Sequence, residues 1–581
     1  MVDAERIQIL NSLRVQLLTI PRCCIADLID ISSEFFEWGV SRLEREQASS
    51  NFRPTIADSE RRLHDLNGRL NDLANAIARA INEFSRTDLL EHGHRNLKRR
   101  ERRRSLKILR RVVFTAAQLN SLEWILDSVT FGDFTVIEST DEITPTFRLD
   151  FGDARLQLLR RLGVRRELIL KYAGRREKRY VREMLLKIQD DILEDVLNYY
   201  CVSEQMEDLA QEVISRAINL ARESLILIDA EDDLLIGAGK FDQKIQASYI
   251  AGMALGCFAV TGSMVKTAKF PSDRKRIPAA IPLRKIFTMF NNEALMKEAV
   301  ERLTLNLPVR SHSLLMKTPY VRDGREMAWP FLGGNFGMWN ISVREALIQG
   351  GALGKDVGSM WEDFFESNFD KTDWQVIGRG VKLKRHGKIL TDIDLMLVIG
   401  DLLLVVQIKA LIGSGDTSYD HWKNRQVIEA GCRQARIVAD YLSEDRSKLV
   451  SICGRRRAES IRIIQPVVLT NVAQLQGWNH LNVPVISEST RKAICRGSKV
   501  DYFNSSTGEL VHTKVFVGPD ELSTNEILRL IREPIELKIA AEKPEVVYRF
   551  DQFGSVSFYL PEFAMNPDAF EPQIEAEIEN A

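Results

Sequence analysis

The sequence predicts an α+β protein of several domains, with a mainly helical N-terminal region followed by an α/β domain on a mixed central sheet. Three observations carry this. The chain has 581 residues, 45% apolar and 28% charged, too long for one ordinary core but near globular averages, so it divides into roughly two to four domains. Apolar residues in the first 200 positions recur at helical spacing, and near residue 400 they form two continuous runs about a glycine–aspartate pair.

In the helical region Leu63, Leu66, Leu70, Leu73, Ile77, Ala80 and Phe84 alternate spacings of three and four, which places them on one stripe. A run this short, with Gly68 inside it, predicts a helix pair within the chain rather than a dimer zipper. Ile188, Ile192 and Val196 repeat the period, with Asp190, Asp191, Glu194 and Asp195 facing outward. Thr135–Ile137 and Thr146–Leu149 read as a small β excursion. Around 318–331 the pattern changes: Tyr320 and Val321, then Asp323-Gly324, then Met327–Phe331 predict a hairpin. Glycine pairs at 333–334 and 350–351 mark a domain junction. The predicted divisions are 1–345 (with a break near 200), 346–500, a mixed extension at 501–565 with a last hairpin at Val546–Leu560, and a disordered tail from Asn566 with five acidic residues and no basic one.

A formal net charge of -1 excludes a general attraction to polyanions, but the charge is segregated. From Arg95 to Val113 ten Lys or Arg face one Glu, and from Arg155 to Arg182 eleven face two. Arg99, Arg100, Arg102, Arg103 and Arg104 in the first window, and Arg160, Arg161, Arg165 and Arg166 in the second, are the candidate phosphate contacts. Solvated helix faces are the alternative.

Seven scattered cysteines lack zinc-site spacing and read as reduced thiols in a cytoplasmic protein. No signal peptide is evident at the start of the sequence. Ala247–Val265 is free of charge, but three glycines and several hydroxyl residues favour a buried core helix over a membrane span. Gly237-Ala-Gly-Lys240 lacks the earlier glycine and the following Ser or Thr of a phosphate loop, and His92 and His94 have no second pair of ligands.

The chemistry concentrates in Asp392–Ala410. Two apolar runs flank Gly400-Asp401, a pair that favours a tight turn. Side chains alternate across a strand, so Asp392 and Asp394 share one face, and Gln407 and Lys409 share a face on the second strand. A carboxylate, an amide oxygen and an ammonium can therefore converge. Phosphodiester hydrolysis needs oxygen ligands for a hard divalent cation, which clamps the phosphate and acidifies a water. Asp394 supplies an anionic ligand, Gln407 and the Ile408 carbonyl neutral ones, and Lys409 orients the nucleophile or stabilises developing charge.

An acidic residue after isoleucine, a hairpin, then Gln-x-Lys resembles the core of the PD-(D/E)XK nucleases, in the Gln form of the Mrr-type restriction enzymes. Gly358-Ser-Met-Trp-Glu362 resembles the start of that family's first helix, whose Glu joins the metal site. Trp374–Ile377 matches its first core strand, and the helix at about His421–Leu442 carries Gln434 at the place of a supporting glutamine. Val438 stands where some relatives have Tyr. Ile463–Thr470 and Val483–Ser487 match the remaining strands. The resemblance covers residues of about 352–490 and implies a restriction endonuclease-like fold and an Mg²⁺- (or Mn²⁺-) dependent DNA endonuclease. Its implied catalytic set is Asp394, Gln407, Lys409, Glu362 and Gln434, with metal ligands from Asp394, Gln407, Ile408 and Glu362, and its implied role is prokaryotic restriction or antiphage defence. DNA is the expected partner; the helical region is expected to recognise substrate, another protein or a second copy, and no membrane is expected. The rival readings are a catalytically inactive nuclease-fold subunit that binds nucleic acid or serves assembly, and an effector switched on by another subunit.

Overall fold

The structure is a computed structural model that describes residues 23–24, 28, 76–84, 90–91, 99–140, 145–162, 281–283, 293–305, 320–323, 327–330, 362–363, 365–366, 369, 373–385, 388–411, 418–471, 473–503, 510–534, 545–553 and 556–564. The expected stripe at 63–73, the periodic segment at 188–196, the charge-free run at 247–265, Arg165, Arg166 and the acidic tail lie outside them. Helices occur with both parallel and antiparallel strands, so the class is α+β. No helix of the described residues is long and apolar enough to cross a membrane.

The chain divides into two compact units: residues 1–123 with 177–354, and residues 124–176 with 355–581. In the first, residues 76–84 are helical. Ile77, Ala80 and Phe84 of the expected stripe are fully buried, but so are Ala76 and Ile81, and Arg79 and Glu83 are buried too, so burial runs round this helix rather than along one face. The expected hairpin is present, Tyr320–Asp323 pairing antiparallel with Met327–Pro330. Helix α1 (Arg99–Thr130) spans the division and takes Arg99, Arg100, Arg102, Arg103 and Arg104 in its opening turns.

The second unit is built on a six-stranded sheet. Its strands are β3 (Gln375–Arg385), β4 (Lys388–Ile399), β5 (Leu402–Lys409), β6 (Ile463–Thr470), β7 (Asn479–His480) and β8 (Val483–Ser487), in the spatial order β7-β8-β6-β5-β4-β3. β3, β4 and β5 form an antiparallel meander, and β6 and β8 continue parallel to β5. β4 and β5 turn at Gly400-Asp401, where Gly400 takes the φ of 56° that glycine adopts without a Cβ clash. The apolar run Leu402–Val406 makes β5 a central strand buried on both faces. Leu402, Leu404, Val406 and Ile408 pack on one side with Phe365, Phe369 and Trp374. Leu403 and Val405 pack on the other with Val438, Tyr441 and Leu442 of α2 (Ser418–Glu444). Helices α3 (Arg446–Cys453) and α4 (Arg455–Ser460) then lead into β6.

Past β8 come α5 (Glu488–Arg496), the hairpin β9 (Ser498–Phe503) and β10 (Leu510–Val517), and α6 (Thr524–Arg532). Ile527, Leu528, Leu530 and Ile531 of α6 belong to the same core as β5 and Phe365. The Thr524 hydroxyl also donates to Asp401 in the β4–β5 turn at 2.7 Å. Residues expected to form a separate extension from 501 therefore share the central core. The last hairpin, β11 (Glu545–Phe553) with β12 (Val556–Ala564), joins the expected β excursion, β1 (Phe134–Thr140) and β2 (Thr146–Phe151), in a four-stranded sheet of order β11-β12-β2-β1. β12 runs parallel to β2, and Phe147 stacks on Phe558 and Phe151 on Phe563. This pairing is why residues 124–176, grouped by the sequence with the N-terminal region, fold with the C-terminal half.

Candidate active site

The site forms where β4 and β5 part. Their register runs from Ile399↔Leu402 to Leu395↔Val406 and stops there. Beyond it the Asp394 carboxylate takes the place of a ladder carbonyl, accepting the Ile408 amide N–H at 2.6 Å. The alternation that sends Met396, Val398, Leu403 and Val405 toward α2 sends Asp394, Gln407 and Lys409 the same way. Two further contacts fix the strand end. The Asn471 side chain accepts from the Leu411 N–H at 2.7 Å and donates to the Leu411 carbonyl at 3.0 Å.

On α2, Gly431 faces Lys409. A Cβ there would lie 2.9 Å from Lys409 Cε and 3.1 Å from Cγ, so a glycine makes the room through which the lysine stem passes. Gln434, one turn on, occupies the same side of the helix. The described helical residues Glu362, Asp363, Phe365, Glu366 and Phe369 bring the third element. Phe365 and Phe369 are buried in the core, which anchors the turn that carries Glu362.

The electrostatics tie these groups together. Burial and the neighbouring charge of Asp394 push the Glu362 carboxyl above its ordinary value, against the pull of Arg379 and Lys409. Burial also pushes the Asp394 carboxyl up, and Asp392 adds to it; the Ile408 N–H, Lys409 and Gln407 oppose it without cancelling it. Arg379 is engaged by Glu366 at 2.7 Å and by Asp363. Asp392 is exposed at the mouth of the site.

Both carboxamide oxygens of the site, Gln407 Oε1 and Gln434 Oε1, are buried with no hydrogen-bond partner. The Gln407 side chain lies close enough to Asp394 to pull its carboxyl pKa down. Leaving a buried acceptor unmade costs about 1–3 kcal/mol. The site is therefore rich in acceptors and negative charge and poor in donors, an environment that a hard cation relieves. Among the described residues no three His, Cys, Asp or Glu side chains stand close enough to form a metal cluster by themselves. The oxygen donors near one another here are the Asp394 carboxylate, the Gln407 amide and the Ile408 carbonyl, with Glu362 close enough to feel the Asp394 charge.

The expected phosphate contacts fare differently. Arg160 is bound to Asp133 at 3.0 Å and is mostly buried. Arg161 lies over the Phe563 ring at 5.6 Å and is exposed. Arg160 is therefore committed to Asp133, whereas Arg161 keeps a place at the surface. Two residues of the site, Gly431 and Asn471, are not among those the sequence singles out, although an isolated glycine inside an amphipathic helix is itself a sign of close packing. No family model, no curated protein and no solved structure matches this chain. What the site can do follows from its own groups.

Proposed function

We propose that the chain is a metal-dependent DNA endonuclease of the PD-(D/E)XK kind, using Mg²⁺ or Mn²⁺ and serving in prokaryotic restriction or antiphage defence. The observation that carries the reading is the gathering of Glu362, Asp394, Gln407 and Lys409 beside two buried, unpartnered amide oxygens. The strand order supports it, because an antiparallel meander, a helix and a parallel strand follow one another as that fold requires.

In this reading Asp394 and Glu362 would hold a divalent cation through their carboxylates and Gln407 through its amide oxygen, and the cation when bound would supply charge neutralisation at the phosphate and an acidified water. Lys409, aimed by Gly431, lies beside the scissile phosphate and stabilises charge that develops there. Gln434 keeps the amide and lysine in register. The basic opening of α1 supplies sequence-independent phosphate attraction.

A second reading is favoured by one observation. Gln407, a neutral amide where a carboxylate would bind a cation more strongly, stands beside Asp394, as it would in a nuclease-fold scaffold that binds nucleic acid without cutting it. Cleavage of plasmid, single-stranded DNA and RNA with Mg²⁺, Mn²⁺ or EDTA separates the two.

A further inference from the structure

A second pocket lies on the same helix, some two turns before the candidate active site. It is walled by the turn Phe131–Asp133, the helical residues 154–162, the first half of α2 and the segment at 474–475. Asp133 is its keystone. It accepts from Gln157 at 2.7 Å and from Arg160 at 3.0 Å and stands 3.7 Å from His421. Burial would raise its carboxyl, but His421, Arg160 and Gln157 outweigh burial and hold the pKa at about 2.

Two side chains lining this pocket are left with unused donors. Asn424 is 8% exposed and Gln474 2%, and the Nδ2 of the first and the Nε2 of the second have no hydrogen-bond partner. Two buried amide donors, each costing about 1–3 kcal/mol unmade, call for a ligand with acceptors. The rim is aromatic. Trp422 is 41% exposed and Tyr419 48%, and Phe131, Tyr419 and Trp422 contact one another with ring centroids 5.5–6.0 Å apart. The Arg425 guanidinium stands beside them over Trp478 at 5.7 Å.

We propose that an unpaired nucleobase stacks on the exposed Trp422 at the mouth of this pocket, whose interior of about 20 Å³ is too small to enclose it, and turns its edge acceptors toward Asn424 and Gln474. A base is the planar ligand that offers both a π-face and several edge acceptors. The choice of a base over other planar ligands rests on the nucleic-acid reading of the neighbouring site. Residues 422–424 precede Gly431 by seven to nine positions, roughly 10–14 Å along the helix axis, a distance that a few nucleotides of one strand cover. A base held here positions the strand whose phosphate lies at Lys409.

The test is fluorescence anisotropy of a labelled single-stranded oligonucleotide with the full chain in EDTA, with unlabelled mononucleotide as competitor. Trp422→Ala should weaken binding roughly five- to hundredfold, the scale of one lost base stack, and Trp422→Phe should restore most of it. Asn424→Leu should weaken it roughly five- to tenfold. Competition by mononucleotide identifies a free nucleotide as ligand, and its failure identifies a base within a strand. Unchanged affinity for both probes in Trp422→Ala would overturn the proposal, even if Asn424→Leu does not fold. DNA cleavage unaffected by Trp422→Ala, together with unchanged binding, removes the pocket and leaves the nuclease. Trp422-dependent binding by a wild type that cuts nothing with Mg²⁺ or Mn²⁺ does the reverse.

Discussion

Lys409 crosses α2 at Gly431, where any Cβ would come within 2.9 Å of the lysine Cε. Helix propensity alone would make Gly431→Ala stabilising by about 0.5–1 kcal/mol. The two closest atoms it meets belong to the flexible lysine side chain and the third, Val468 Cγ2 at 3.4 Å, is at ordinary contact distance, so the lysine yields and the helix does not. We expect Gly431→Ala to leave the thermal midpoint unchanged or slightly raised while divalent-dependent cleavage falls roughly tenfold or more, the sensitivity of catalysis to a displacement of about 1 Å. Thermal melts and cleavage rates on the same preparation check this. A stable variant with wild-type rate would show that the lysine position does not matter.

The raised carboxyl of Asp394 has a signed consequence. A group whose folded pKa is raised contributes stability that is complete below its unfolded value, near 3.8, and is lost as pH rises through the folded value. At neutral pH the ionised Asp394 therefore burdens the ion-free fold. Asp394→Asn, which keeps an oxygen for the Ile408 N–H, should raise the melting temperature at pH 7 in EDTA. That gain should vanish as pH falls below the ordinary carboxylate range. Adding Mg²⁺ should stabilise the wild type and not the variant.

Gln407→Glu puts a third carboxylate against Asp394 and Glu362. Without an ion, like charges destabilise, so the variant should melt below the wild type in EDTA. With Mg²⁺ or Mn²⁺ the order should reverse, and cleavage should be retained or increased, because an anionic ligand binds a hard cation more strongly than an amide does. Loss of activity at saturating metal would assign Gln407 a role that needs its amide.

The two basic windows should separate. Arg160→Ala leaves Asp133 short of a charged partner and should cost about 1–3 kcal/mol of stability, most evident above pH 4. The Asp133 contribution is present above the ordinary value of 3.8 and fades as pH falls toward about 2. Replacing Arg99, Arg100, Arg102 and Arg103 by Ala should instead weaken DNA binding and flatten its salt dependence while leaving the melt unchanged. Binding titrations at several salt concentrations, paired with pH-dependent melts, distinguish the two behaviours.

Local pairing is legible in the sequence. Gly400-Asp401 marks the β4–β5 turn, and strand alternation alone is enough to place Asp394, Gln407 and Lys409 on one face. The hairpin β7–β8 is not legible, since its turn residues Leu481 and Asn482, at φ 55° and 59°, include a leucine where asparagine or glycine is the usual signal. Helix α6 does carry a local signal that the sequence reading leaves unused: Ser523 accepts from the Glu526 N–H at 3.3 Å, a capping spacing visible in the sequence. The parallel pairing of β2 with β12 joins Thr146 to Ser557, and no local pattern encodes a partner at that separation. The charge count likewise registers Arg160 but not the buried Asp133 that neutralises it.

The most direct test of the central claim is the rate of phosphodiester cleavage in purified wild type, Asp394→Ala and Lys409→Ala, on plasmid and single-stranded DNA, with Mg²⁺, Mn²⁺ or EDTA. The account predicts metal-dependent cleavage by the wild type, none in EDTA, and at least a ~100-fold loss in each variant, the scale of one lost electrostatic stabiliser, with DNA binding largely kept. No divalent-dependent cleavage by the wild type, with DNA bound equally by all three proteins, would contradict it.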